Sequence, residues 1–158
     1  MNERIKIPPK LHHVAVLVED IENAVEKIKK IFDVGDIKVI EDESIAVING
    51  KEVGKYKLKM AFFYFGEVLI ELLEIPEGYS VELDWLKKHG RVIHHFCFEV
   101  EDMYKEAEKW AKMGIRLLQT DHGKWIYLDT EDLLGFIIEL EPTEQIQKEL
   151  KLSGIIKK

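Results

Sequence analysis

The sequence predicts an α+β chain made of two tandem copies of one βαβββ module. Three observations carry that expectation. The segment Leu11–Asp20, opening Leu11–His12–His13–Val14, returns 82 positions later as Ile93–Asp102, opening Ile93–His94–His95–Phe96. The likeness runs on, with Glu26, Lys27 and Lys30 matched by Glu108, Lys109 and Lys112. Each copy then closes on a related run, Leu69–Ile70–Glu71–Leu72 in the first and Ile137–Ile138–Glu139–Leu140 in the second.

The elements follow in order. Leu11 to Val18 is apolar and rich in β-branched residues, as a strand should be. Asp20 stands where a helix N-cap belongs, and Ile21, Ala24, Val25, Ile28, Ile31 and Phe32 follow at helical spacing. In the second copy Asp102 is the cap, Met103, Ala107, Trp110 and Ala111 form the inner stripe, and Gly114 stops the helix. Three strands follow the first helix. Asn49–Gly50, a type I′ turn signal, joins Ile45–Ile48 to the run Tyr56–Phe65. His13 and Glu71 are 58 positions apart and His95 and Glu139 are 44 apart, so the first copy has 14 extra residues, which fit a longer hairpin around 43–56. Between the copies, Pro76 to Val92 holds a short helix capped by Ser80 and stopped by Gly90. After Pro142, Thr143 caps a final helix carrying Ile146 and Leu150, a packing or dimer surface. The expected organisation is one domain over 1–158: module one at 9–76, a linker helix at 77–91, module two at 92–142 and a C-terminal helix at 143–158.

Bulk properties exclude several classes. A chain of 158 residues with 46% hydrophobic and 34% charged residues is long enough to bury a sizeable core. No apolar run approaches the roughly 18–20 residues that span a bilayer, and no signal-peptide core follows the charged N-terminus, so a cytoplasmic protein without a membrane partner is expected. A net charge of −7 argues against nucleic acid as a partner. The single cysteine, Cys97, rules out an internal disulfide framework and a Cys-based zinc site. Abundant lysine with scarce arginine, asparagine and glutamine is a thermophilic composition.

Strand alternation singles out four residues. His12, Val14, Val16 and Val18 share one face of the first strand, and His13, Ala15 and Leu17 share the other. The repeat gives His94, Phe96, Phe98 and Val100 against His95, Cys97 and Glu99. The apolar faces belong under the helices, which turns His13 and His95 inward and assigns His12 and His94 to the helix side. Ile70 and Leu72 likewise turn Glu71 inward, and Phe136, Ile138 and Leu140 turn Glu139 inward. Two imidazoles and two carboxylates at repeat-related places suit one divalent ion of cobalt, nickel, zinc, iron or manganese, with coordination positions left for water or substrate. The remaining candidates have plainer roles. Cys97 is a small cavity-lining residue, His122–Gly123 an exposed loop, and Trp85, Trp110 and Trp125 belong to the core.

At these residues the chain resembles the vicinal oxygen chelate superfamily, which spans glyoxalase I, extradiol dioxygenases, methylmalonyl-CoA epimerases and fosfomycin- or bleomycin-resistance proteins. The resemblance covers Leu11 to Pro142. It is nearest to the epimerases in the two His strands, in Met60–Glu74 and in Gly114–Leu118. It implies a curved mixed sheet around a metal-binding cavity, with His13, Glu71, His95 and Glu139 as metal ligands. Two features depart from the epimerases. The strand Tyr56–Met60 lacks their second acid/base glutamate, and the loop Asp129–Gly135 lacks their His-Pro-Lys-Ser/Thr run.

The implied activity is metal-dependent epimerisation of the α-carbon of a methylmalonyl-CoA-like thioester through an enolate, by a homodimer acting on an acyl-CoA. Glu139 and Glu71 are the candidate acid/base groups, and Lys57, Lys59 or the first-strand neighbourhood is left to serve the second face. A glyoxalase I-type lyase acting on a hemithioacetal, a dioxygenase and a non-catalytic small-ligand binder are the alternatives.

Overall fold

The computed structural model describes residues 3–155. Module one contributes β1 (Leu11–Leu17), α1 (Ile21–Ile31), β2 (Val39–Ile48), β3 (Lys51–Phe65) and β4 (Val68–Gly78), and α2 (Val81–His89) leads onward. Module two contributes β5 (Ile93–Val100), α3 (Met103–Lys112), β6 (Leu117–Thr120), β7 (Ile126–Leu128), the one-turn α4 (Glu131–Leu134) and β8 (Ile137–Pro142), and α5 (Thr143–Ser153) ends the described chain. The eight strands close into a barrel in the order β1-β4-β3-β2-β6-β7-β8-β5. Each half therefore has the same internal order, first strand beside last, with a parallel pair at β1–β4 and at β5–β8.

Local chemistry sets the elements. The Asp20 carboxylate accepts the Asn23 amide and the Asp102 carboxylate accepts those of Tyr104 and Lys105, so α1 and α3 each start where the cap satisfies free N–H groups. Asn49 and Gly50 both have positive φ, 52° and 75°, and form the two-residue turn between β2 and β3. That hairpin holds the surplus of module one, since its strands of 10 and 15 residues face a 4- and 3-residue pair, β6 and β7, in module two. At the start of α5 the structure differs from the sequence expectation. Pro142 is the N-cap, Thr143 is already helical, and no side chain caps the end.

Three apolar clusters follow from the alternation. Ile21 and Val25 of α1 pack on Ala61, Phe63 and Leu72, and Met103, Ala107 and Trp110 of α3 pack on Ile126, Ile138 and Leu140. Inside the barrel, Leu17, Tyr56, Leu58, Met60, Phe62, Leu73, Trp125, Tyr127 and Ile137 form the third cluster. Side chains of Leu150 and Ile155 reach it from the C-terminal segment. The two outer clusters anchor the helices; the inner one walls the site.

Candidate metal centre

His13 and Glu71 reach the barrel interior from the adjacent strands β1 and β4, and His95 and Glu139 do so from β5 and β8. The antiparallel β1–β5 pair joins the halves and sets His13 opposite Cys97 and Ala15 opposite His95. All four side chains are buried, and their tips converge. His13 Nε2 lies 3.3 Å from His95 Nε2, 3.1 Å from Glu71 Oε2 and 3.4 Å from Glu139 Oε2. His95 Nε2 lies 3.3 Å from Glu71 Oε2 and 2.9 Å from Glu139 Oε2. An ion about 2.0–2.2 Å from each ligand atom would separate neighbouring ligands by about 3.0 Å in an octahedron and about 3.4 Å in a tetrahedron, a spacing that the atoms of His13, Glu71 and His95 meet as one group; Glu139 meets it toward the two imidazoles and groups with His13, Cys97 and Glu141. Glu139 Oε2 is buried and faces both imidazole Nε2 atoms, a nitrogen-and-carboxylate donor set that suits a cation.

The neighbouring histidines are not where simple alternation puts them. Two register shifts interrupt the β1–β5 pair, one leaving His12 as an extra residue on β1 and the other leaving His94 as an extra residue on β5. These bulges turn both rings off the helix side and against their neighbours. His12 Nδ1 lies 2.7 Å from His13 Nδ1, and His94 Nδ1 lies 2.8 Å from His95 Nδ1. His94 also packs on Trp85 and Tyr127 rather than under α3. Burial, helped by the inner imidazole, pulls the pKa of His12 down to about 4 and that of His94 well below the usual histidine value, so both outer rings are neutral acceptors. Each inner ring can donate Nδ1–H outward, which leaves its Nε2 lone pair facing the centre, as a metal ligand requires.

Among themselves the two imidazoles and two carboxylates interact as ion pairs. Burial opposes protonation of His13 and His95, but the carboxylates override it and raise them to about 10 and about 9. Burial likewise opposes ionisation of Glu71 and Glu139, and the imidazoles override it and hold both below the usual carboxylate range. Cys97 is fully buried, and burial with Glu141 and Glu139 nearby pushes its thiol well up, so it stays protonated and lines the wall.

Several functional candidates escaped the sequence reading. Glu82 of α2 accepts the Tyr127 hydroxyl at 2.7 Å and also the Ser80 hydroxyl. Beyond it, Gln119 bridges to Asp121, whose carboxylate accepts the Tyr56 hydroxyl at 2.8 Å. Burial raises Asp121 to about 7. Glu141 and Glu149 also line the central cavity, beside Glu71 and Glu139. Burial, then the charge of Glu71, raises Glu149 to about 8. Glu141 was legible, since it continues the inward alternation Ile137, Glu139, Glu141. Glu149 lies beside Leu150 and three residues after Ile146, the two residues that marked the inner face of the last helix. Lys57 and Lys59, by contrast, do not reach the cavity. They alternate with the inward Tyr56, Leu58 and Met60 and pair outside the barrel with Glu77 and with Glu22. The free space in the cavity is about 10 Å³, room for about one water or ion.

The sequence profile of the glyoxalase/bleomycin resistance protein/dioxygenase superfamily matches residues 12–126, and the chain belongs to that superfamily. Among curated relatives, the ethylmalonyl-CoA/methylmalonyl-CoA epimerase of Cereibacter sphaeroides is 29% identical over 142 residues, covering 84% of this chain and 96% of its own. The mitochondrial methylmalonyl-CoA epimerase of Bos taurus is 28% identical over 141 residues, covering 84% and 73%. Among solved structures, methylmalonyl-CoA epimerase of Mycobacterium tuberculosis superposes with a TM-score of 0.59 at 19% identity, over 89% of this chain and 92% of its own. The Streptomyces coelicolor enzyme in complex with 2-nitronate-propionyl-CoA does so with a TM-score of 0.58 at 19% identity, over 88% and 97%. At that identity the superpositions establish the shared fold.

Proposed function

We propose that the chain is a divalent-metal-dependent epimerase that inverts the α-carbon of a methylmalonyl-type acyl-CoA thioester. One observation carries it: the inward Nε2 atoms of His13 and His95 lie 3.3 Å apart, and each lies 2.9–3.4 Å from the Oε2 atoms of Glu71 and Glu139. The curated relatives of similar length supply the substrate class. The all-nitrogen-and-oxygen donor set suits cobalt, nickel, zinc, iron or manganese.

When bound, the ion supplies Lewis acidity that stabilises negative charge developing on a carbonyl oxygen. His13 and His95 hold their lone pairs inward because His12 and His94 grip them from behind. Phe62 and Tyr127 stack near the two rings, at 5.6 and 5.2 Å between centroids, and keep the site dry. Glu139 and Glu71 are the groups placed to take or return the α-proton at their carboxyl oxygens. The homodimer and the cytoplasmic location belong to the same reading. The exposed Ile31, Phe32 and Phe65 offer apolar surface for a second copy, and among the described residues no helix is long and apolar enough to cross a membrane.

The test is to measure metal content and then follow solvent deuterium into methylmalonyl-CoA before and after chelation. Metal-dependent exchange at the α-carbon is expected, and Glu139→Gln should slow it by about 10²–10⁴-fold. A metal-loaded protein that exchanges nothing while turning over a hemithioacetal would overturn the proposal.

A further inference from the structure

We propose that Glu149, held over the barrel mouth by α5, is the second acid/base group of this reaction; the inference rests on the epimerase reading above. Inverting a carbon through its enolate requires proton-transfer groups on both faces. Glu139 and Glu71 both come from the barrel wall, so the second face must be served from another direction.

The topology supplies that direction. α5 leaves β8, packs on β8 and β5, and reaches β2, which stands across the closed barrel from β5. The helix therefore bridges the mouth. Its buried face carries Gln145, Ile146, Glu149 and Ser153. A helix that served only as a plug would bury apolar residues at these positions, because an incompletely paired polar group in a dry interior is costly. Glu149 is 3% exposed and lines the same cavity as Glu71 and Glu139. Its Oε1 accepts the Gln145 side-chain amide at 3.0 Å, and its carboxyl lies within hydrogen-bond reach of that of Glu141, the Oε2 atoms of both being buried with no other donor.

The other carboxylates in the cavity are excluded by position. Both oxygens of Glu82 are engaged, by Tyr127 and Ser80. Glu141 lies two residues along β8 from Glu139 and approaches from the same wall. Lys57 and Lys59 are outside. For one epimer, the ionised Glu139 carboxylate takes the α-proton, and the C–H electron pair moves onto the thioester carbonyl as the enolate. The protonated carboxyl of Glu149 then returns a proton to the opposite face, the pair re-forms a C–H bond, and one proton has passed from Glu149 to Glu139. The other epimer runs the steps in reverse. With room for about one water in the closed cavity, substrate enters while α5 is lifted about its uncapped start at Pro142, and the helix brings Glu149 back as it closes.

The experiment compares wild type, Glu149→Gln and Glu149→Asp, each as the metal-loaded protein, using the two separate epimers of methylmalonyl-CoA in deuterium oxide. The Gln variant should hold as much metal per chain as wild type. It should keep exchange from one epimer within a few-fold, lose exchange from the other by at least about 100-fold, and lose epimerisation to the same degree. The Asp variant, which keeps the charge on a shorter arm, should recover part of the lost exchange even if the Gln variant is too unstable to assay. Equal exchange from both epimers in the Gln variant, or equal loss from both with metal intact, would overturn the assignment to Glu149. Wild type that exchanges neither epimer would instead overturn the epimerase reading, and this inference with it.

Discussion

Each inner imidazole is backed by the residue that precedes it in the chain, and the repeat makes that arrangement twice, at His12–His13 and at His94–His95. A ligand imidazole whose second nitrogen is held keeps one tautomer and one ring plane, which is worth about 10–100-fold in metal affinity. His12→Ala should therefore weaken metal binding by about that factor in a chelator competition while all four inner residues stay in place. An unchanged affinity would show that the Nδ1 contacts orient nothing. Period-two alternation sufficed to find the inner four because strand faces are set by sequence spacing alone. The outer pair was misplaced because a bulge is a property of the strand pair: a single strand carries no mark of which residue its partner will leave unmatched.

At the scale of elements, local signals with their own chemistry were the legible ones. Asp20 and Asp102 cap their helices, and Asn49–Gly50 turns the hairpin, each as its side chain or φ preference dictates. Closure of the sheet, the one-turn α4 and the burial of Glu82 and Glu149 were not legible, because they depend on which element crosses which opening. Gly78 shows how tight one such junction is. It sits opposite Tyr56 at the end of β4 with φ +83°, and a Cβ there would lie 2.5 Å from the Lys55 carbonyl oxygen and 2.6 Å from Tyr56 Cα. The obstructing atoms are backbone and cannot rotate away. Gly78→Ala should cost about 1–3 kcal/mol, read as a lower urea midpoint at unchanged slope. A midpoint equal to wild type would mean that the strand end shifts freely.

For the whole molecule, the site couples stability to pH and to metal. In the metal-free protein, His13 and His95 titrate at about 10 and 9 against 6.5 when unfolded. The stability they contribute is complete below pH 6.5 and is lost as pH rises through 9–10. Glu149, raised to about 8, holds a proton that the unfolded chain has already released above its ordinary 4.5, so it also costs stability as pH rises toward 8. Glu71 and Glu139, held low, act at the other end, losing their contribution as pH falls below 4.5. The Tm of chelated protein should fall between pH 6.5 and 9. Because an ion takes neutral imidazole and ionised carboxylate, its binding releases protons, and the Tm gain on adding metal should be larger at pH 9 than at pH 6. A chelated protein with a flat or rising Tm across that range would contradict this account.

The four inner residues are divided evenly, His13 and Glu71 from one half and His95 and Glu139 from the other. An ion held by all four would act as a rivet that neither half could fasten alone. Along the chain it would tie off successive loops of 58, 24 and 44 residues, counted from 13 to 71, 71 to 95 and 95 to 139. Cross-linking of that kind restricts the unfolded chain as disulfides do in secreted proteins, and a chain with a single cysteine cannot obtain it from an internal disulfide. The same ion would then do two jobs, the chemistry at its open positions and the fastening of the duplicated halves into one barrel.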